Sequence, residues 1–512
     1  MLFYRKYNDK RHSSRQSNHS LHQAPISAEL KDNLAVVQSL FSATPDLIVR
    51  RLVIKQTQSQ AALIYLNGIS DSKAIFNHVL NPLLFEEGMD ASNPDQFVSL
   101  GHIQATRIWA DIENAILNGE SVLFVEKHAD AYRYDTAGFP KRSIEDTPIE
   151  SSLTGAHIGF TENTSANVAL IRKHIRNREL KIRELTVGER GNTKLSILYL
   201  ADVVNPDVLE ELEKRIRQLN VDHIINAGVL AEYIEDSPFS PFPQLLLTER
   251  PDVAAFEIMQ GRIVTVVDRS PSVIIGPVAF GSFFKTIDDY SSRWIVASFF
   301  RLLRYFGFFV AIFLPAIYIA IVSFHFEIIP MKLLLSVGAS RERIPFPPYI
   351  EAFVMEVTLE MLREAGIRLP AKIGQTVGIV GGIVIGQAAV EAGIVSDIMV
   401  IVVALTAIAS FIIPNYSMSS AIRIVRFPMM LMASLFGFVG IMVGLMIIIA
   451  HFIALESLGM PYGTPIAPLR FPDWKDLFVR FPQWSIDNRP LSTKAIQTAK
   501  ATNNRQEGDD RQ

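Results

Sequence analysis

The sequence predicts a soluble α/β region of two subdomains followed by an α-helical multi-pass membrane domain, and three observations carry that prediction. Gly374, Gly378, Gly382 and Gly386 recur every fourth residue inside an apolar run over 373–395, long enough to cross a hydrocarbon core roughly 30 Å thick. Similar runs cover 304–324, 398–413 and 429–450, each with little or no interior charge. Yet 20% of the 512 residues are charged although 49% are hydrophobic. The charge lies mostly ahead of the apolar runs, so that region must be water-soluble.

The opening stretch 1–30 is polar and basic, with Arg5, Lys6, Lys10, Arg11 and Arg15 and no apolar core. It is expected to be a disordered tail rather than a signal peptide, which leaves the N-terminal region in the cytoplasm. Subdomain 1 spans 31–146. Its strands lie at 62–66, ended by Asn67-Gly68, and at 121–125, introduced by Asn118-Gly119, with Ile75, Val79 and Leu80 on one side of a helix between them. The stretch 145–152, with Pro148, is the expected boundary. Subdomain 2 spans 153–285. A strand at 195–200 leads to Asn205-Pro206-Asp207, which supplies an N-cap, a first-turn proline and an early acid. Leu209, Leu212, Ile216 and Leu219 then form an apolar stripe, and 221–225 reads as a returning strand, giving a right-handed βαβ unit. No internal repeat of fixed period is visible.

The membrane domain is placed at 290–456, with four spans plus an amphipathic helix at 348–366 that is either re-entrant or a fifth span. On that helix Glu356, Glu360 and Glu364 share one stripe beside Arg363, while Glu351 points away. Like charges one turn apart repel by roughly 0.2–0.5 kcal/mol per pair, so the stripe must face water, basic partners or cations. Gln387 and Glu391 raise the same choice beside the glycine stripe, and together these five residues are the candidate ion pathway. Gly374, Gly378, Gly382 and Gly386, with Gly440 and Gly444 in the last run, are assigned to close helix packing, including packing against another copy of the chain. Arg301 and Arg304 before the first span and Arg470, Lys475 and Arg480 after the last favour both ends in the cytoplasm, with 457–512 a cytoplasmic tail, disordered from 491. Arg423 and Arg426 then fall on the wrong side.

A net charge of -3 argues against a nucleic-acid surface, and the absence of cysteine excludes disulfides and thiolate metal sites. No phosphate-binding Gly-Lys-Ser/Thr loop, His-Glu-x-x-His or Gly-x-Ser-x-Gly motif is present, so neither an enzyme nor a bound cofactor or metal is expected.

Several motifs carry a resemblance. They are Gly159-Phe160-Thr161-Glu162, Phe242-Pro243-Gln244, Thr248-Glu249-Arg250-Pro251-Asp252, Gly261-Arg262-Ile263-Val264, Asp268-Arg269-Ser270-Pro271, Asp288-Asp289-Tyr290, the run from Pro345 to Phe353, and Ile412-Ile413-Pro414-Asn415-Tyr416. In this order they resemble the A subunits of bacterial spore germinant receptors, the GerA family, over roughly residues 33–481. The resemblance implies an A subunit of a nutrient receptor that triggers germination, partnered by a permease-like B subunit and a lipoprotein C subunit in the spore inner membrane. It further implies a homo-oligomeric, nutrient-gated cation channel. The alternative is a non-conducting scaffold or signalling subunit for the permease-like partner.

Overall fold

The computed structural model of the chain describes residues 24–85, 103–138, 150, 158–370, 381–382 and 384–500. The expected boundary at 145–152, apart from Glu150, lies outside these residues, as do Gly374 and Gly378.

Module 1 runs α1 (Leu30–Leu40), β1 (Leu47–Val53), β2 (Gln60–Leu66), a helical stretch from Ser72–Ala74 to Asn81–Phe85, β3 (Ile103–Thr106), α2 (Trp109–Leu117), β4 (Ser121–Val125) and β5 (Ala131–Tyr134). Module 2 repeats that order: α3 (Thr164–His174), β6 (Leu180–Val187), β7 (Thr193–Leu200), α4 (Pro206–Arg217) with α5 (Ala227–Ile234), β8 (Leu246–Thr248), α6 (Pro251–Met259), β9 (Ile263–Val267) and β10 (Val273–Gly276). The sheet orders are β1-β2-β4-β5-β3 and β6-β7-β9-β10-β8, antiparallel throughout. The N-terminal region is therefore a structural duplication, although its sequence shows no repeat of fixed period. The offset grows by about nine residues between the first strand pair (Leu47 and Leu180) and the fourth (Ser121 and Ile263), because the helical insert is longer in module 2. That shift hides a fixed period. The buried pair Arg172–Asp46 (Nη2 to Oδ1 2.9 Å) and Arg178–Glu113 (3.0 Å) lock the modules together.

The expected βαβ unit is corrected. Asn205 caps α4 as predicted, accepting from the Asp207 amide at 3.0 Å, but 221–225 forms no strand. Its carbonyls instead cap the β6–β7 turn, Val221 accepting from the Glu189 amide and Asp222 from the Gly191 amide at 3.0 and 2.9 Å. With β7 paired between β6 and β9, no parallel crossover exists.

The helical part comprises α7 (Trp294–Phe324), α8 (Met331–Arg341), α9 (Pro348–Arg368), helical residues 384–391, α10 (Asp397–Phe411) and α11 (Tyr416–Ala454). α7 starts beside module 2. α9 runs back along it, because Arg426 of α11 bridges Glu356 to Ala311 in mid-α7 while Arg363 reaches Ser410 at the module end. α10 also returns, since Ser396 meets Tyr318 at 3.2 Å and a β-carbon on Gly307 would lie 3.1 Å from the Ala409 oxygen.

The single last span expected over 429–450 is corrected as well. In a straight helix Met429 and Gly444 would be about 22 Å apart at 1.5 Å per residue, yet a β-carbon on Gly444 would lie 2.4 Å from the Met429 sulfur. The chain reverses at Gly437, whose φ of 58° and ψ of -136° only glycine adopts readily. α11 is thus a helical hairpin. Its first arm runs parallel to α7, reaching Phe324 at the turn, and its second arm returns to module 2, where His451 Nε2 meets Ser240 Oγ at 2.8 Å.

Beyond α11 the described chain, through residue 500, is docked rather than free, which corrects the expectation of disorder over 491–500; the remainder of that stretch lies outside the described residues. A short hairpin, Glu456–Ser457 with Met460–Pro461, inserts the Ser457 hydroxyl between the Gln244 carbonyl (2.6 Å) and the Val278 amide (2.9 Å). Farther on, the Ile496 amide donates to the Val203 carbonyl at 2.9 Å and Arg489 Nε to the Met259 carbonyl at 2.8 Å.

The hairpin predicts its own sensitivity. A β-carbon on Gly440 would sit 2.0 Å from the Met432 carbonyl oxygen, a backbone atom on the facing arm. Gly440→Ala is expected to cost about 1–3 kcal/mol by overpacking. The check is thermal unfolding of the detergent-solubilised chain, with Gly338→Ala, which meets nothing within 4 Å, as the unaffected comparison.

Candidate functional site

Two buried charge clusters tie the elements together. The first joins α9 to α11. Glu356 and Arg426 are 0% and 1% exposed and bonded to each other, and Arg426 Nε donates to the Ala311 carbonyl of α7 at 2.7 Å. One turn on, Arg423 Nη1 donates to Glu360 at 2.7 Å, and Arg363 lies over the Phe411 ring at 4.4 Å with Nη2 3.1 Å from Ser410 Oγ. Two acids spaced i, i+4 on α9 thus face two arginines spaced i, i+3 on α11, a match that helical geometry permits. Glu351, off the stripe, is buried too. It accepts from the Ser396 amide at 3.1 Å and pairs with Arg341 at 2.8 Å.

The second cluster lies where module 2, α7 and the C-terminal segment meet. Arg301, 0% exposed, donates to Asp289 (Nη2, 3.0 Å) and to Asp476 (Nη1, 2.8 Å). Asp289 also receives Arg304 at 2.8 Å and the Thr286 hydroxyl at 3.0 Å. Asp476 receives Lys285 at 2.7 Å and the Tyr290 hydroxyl at 2.8 Å. Burial works to raise the Asp476 carboxyl, but Lys285 and Arg301 outweigh it and hold the group well below the usual carboxylate range. Burial, together with Asp476, pushes the Tyr290 hydroxyl far up, so it stays a donor.

The structure therefore separates the residues that the sequence grouped. Glu356 and Glu360 do not form an open acid face; their partners come from α11, some 65 residues away, beyond any helical periodicity. Glu364 is exposed and, among the described residues, pairs with Arg368 at 2.6 Å on its own helix. Gln387 Nε2 donates to Glu391 at 2.9 Å, both exposed. Glu364 lies toward the module end of the helices, and Glu391 toward the far end, where Gly393 meets the Arg343 carbonyl. Of the glycines, Gly382 faces open space, Gly386 makes ordinary contact with Val400, and Gly440 and Gly444 hold the α11 hairpin. Arg301 and Arg304, read from sequence as charges marking a cytoplasmic entrance to the first span, are ion-pair partners of Asp289, Arg301 fully and Arg304 partly buried. Asp476 escaped the sequence reading altogether. The one available signal was the need of two arginines at the edge of an apolar helix for nearby carboxylates.

Comparison with known proteins follows the whole chain. The family described as Bacillus/Clostridium GerA spore germination protein matches residues 35–492. Membrane protein YfkQ of Bacillus subtilis (strain 168) is 39% identical, covering 91% of both chains. Spore germination protein KA of the same organism is 37% identical, covering 91% of this chain and 87% of its own. The crystal structure of the N-terminal domain of the A subunit of the Bacillus megaterium spore germinant receptor GerK3 aligns at 25% identity and a TM-score of 0.40, covering 50% of this chain and 98% of that one.

Each cluster yields a test. Removing one partner of a buried pair leaves an uncompensated charge, so Arg426→Gln is expected to cost roughly 3–5 kcal/mol, and adding Glu356→Gln should recover much of it; a thermal-unfolding double-mutant cycle measures both. At the junction, a carboxyl held low contributes stability that is full above its unfolded value, about 3.9, and is lost only as pH falls through the depressed folded value. The penalty of Asp476→Asn should accordingly be constant from neutral pH down to about pH 5, read as the rate at which limited proteolysis releases the C-terminal segment.

Proposed function

The chain belongs to the Bacillus/Clostridium GerA spore germination protein family, and from that premise we propose that it is the membrane-embedded A subunit of a nutrient germinant receptor. Its relatives carry the names of spore germination proteins, and the role in germination comes to this chain through them. The family resemblance drawn from its motifs further gives it, on this proposal, a permease-like B subunit that receives the nutrient and a lipoprotein C subunit as partners.

The observation that carries the membrane placement is the surface of the helices. α7 is long and apolar enough to cross a membrane, and α11 is an apolar run that folds into two arms; they expose large apolar side chains such as Phe306, Phe309, Leu431, Leu435, Met446 and Ile447. A water-soluble surface does not carry so wide an apolar belt. In this reading α7 and the first arm of α11 run away from module 2, while α9, α10 and the second arm of α11 run back toward it. Both ends then share the cytoplasmic side of the spore inner membrane with the modules. Arg423 falls on the module side, which eases part of the conflict that four spans create; Arg426 sits at mid-helix beside Ala311, and Lys332, Arg341 and Arg343 stay at the far end.

Within that frame the conduction path runs beside α9 and the 384–391 helix, which touch where Gly381 approaches Leu362. Glu364 at one end and Gln387 with Glu391 at the other are the exposed acids and amide that draw cations. Gly382, open in the single chain, is where a second copy packs to close the wall. A second reading, the non-conducting scaffold, draws on the pairing of Glu356 and Glu360 with arginines, which takes two acids out of any pore.

The experiment is nutrient-triggered cation release from spores carrying Glu364→Gln with Glu391→Gln, membrane levels of the protein being matched. Exposed charges are screened within roughly 8–10 Å, so the double variant is needed for a clear reading. Conduction predicts a severalfold fall in release. Wild-type release at wild-type protein level would leave the scaffold reading standing.

A further inference from the structure

The segment that follows α11 carries a surface that neither the modules nor the helices account for. Between residues 466 and 484 it exposes Ile466, Leu469, Phe471, Trp474, Phe481 and Trp484, with Phe471 and Trp484 at 66% and 58%. Its polar groups are engaged on the opposite side. Asp476 joins the Arg301 cluster, and the Arg480 amide and carbonyl both bond the Ser298 hydroxyl of α7. Phe478 packs on Tyr305 of α7 with ring centroids 4.9 Å apart, and Trp474 stands edge-on to Phe478 at 5.9 Å.

These contacts fix the level of the segment. It lies against residues 298–305, the first turns of α7, whose other faces expose Trp294, Ile295, Phe299 and Phe300. Two adjoining elements therefore both expose aromatic and aliphatic side chains at the height where α7 leaves module 2. Exposed Lys475 lies among them. Tryptophan and phenylalanine beside a basic residue, at the mouth of an apolar helix, match the headgroup-to-acyl boundary of a bilayer.

We propose that residues 466–484 form a strap that lies in the membrane interface, its aromatic side chains seated among phospholipid headgroups and upper acyl chains. Module 2 is thereby held against the bilayer through the Asp476 and Ser298 contacts, and the strap is a lipid-binding element rather than a cytoplasmic tail. This inference rests on the membrane placement of α7 and α11.

The chain has no cysteine, so single variants Phe471→Cys and Trp484→Cys can each carry one nitroxide. The full chain is reconstituted in phospholipid bilayers, and relaxation by oxygen, which partitions into lipid, is compared with relaxation by a water-soluble nickel chelate. Leu431→Cys on α11 and Arg190→Cys on module 2 are the references. Oxygen-favoured relaxation at 471 and 484, with 431 in lipid and 190 in water, is the expected result. Nickel-favoured relaxation at 471 and 484 with 431 still in lipid would overturn the strap alone. Shielding from both reagents would also overturn it, by placing a second copy or another protein on this surface. A water-exposed 431 would overturn the membrane placement itself.

Discussion

A guanidinium with no exposed surface must be paired, and Arg301 is such a group. Asp289 on one side of it ends the N-terminal α/β region, Asp476 on the other belongs to the C-terminal segment, and Arg301 itself opens the first long apolar helix. Desolvating three such charges is unfavourable unless all are in register, so the cluster admits one arrangement of the three segments. The rest of the architecture depends on it. The entry angle of α7, the path of the segment after α11 and the seat of module 2 on the helices all meet there. Arg426 repeats the logic deeper in the helical part, tying α7, α9 and α11 through one side chain.

Charge pairing also reshapes the functional reading. Three acids one turn apart on α9 invite a picture of an open cation-binding face, but complementary arginines on α11 neutralise the two that are most enclosed. On the conducting reading proposed above, the acids and amide left for ions are the exposed Glu364 and the Gln387–Glu391 pair, which stand toward opposite ends of adjoining helices. The enclosed pairs instead set the distance between helices. A conformational change that carries a signal from module 2 into the helices would have to move or break them, since they are the polar contacts that cross between α9 and α11.

Much of this was legible in the sequence, and the illegible parts share a cause. Hydropathy marks α7, α10 and the apolar stretch of α11 because lipid selects composition along a single helix. Local chemistry marks the Asn205 cap because its partner is two residues away. Hydropathy has no sense of direction, however, so the reversal at Gly437 inside an unbroken apolar run left no trace in it. Gly440 and Gly444 did signal close packing, and their partners proved to be Met432 and Met429 of the same hairpin. The duplicated modules were masked by an insert of unequal length, and the βαβ unit failed because 221–225, split by Asp222 and His223, caps a turn instead of extending the sheet. The partners of Arg301 and Arg426 come from segments far off in the chain, where periodicity carries no information.

Amide hydrogen exchange of the full chain in lipid, comparing the unaltered protein with Asp289→Asn, tests the central claim most directly. If the Arg301 cluster is the joint on which the three segments depend, removing one carboxylate should lower protection together in residues 285–291, in the first turns of α7 and in 471–481, including segments that do not touch Asp289. Loss of protection confined to 285–291, with α7 and 471–481 unchanged, would contradict it.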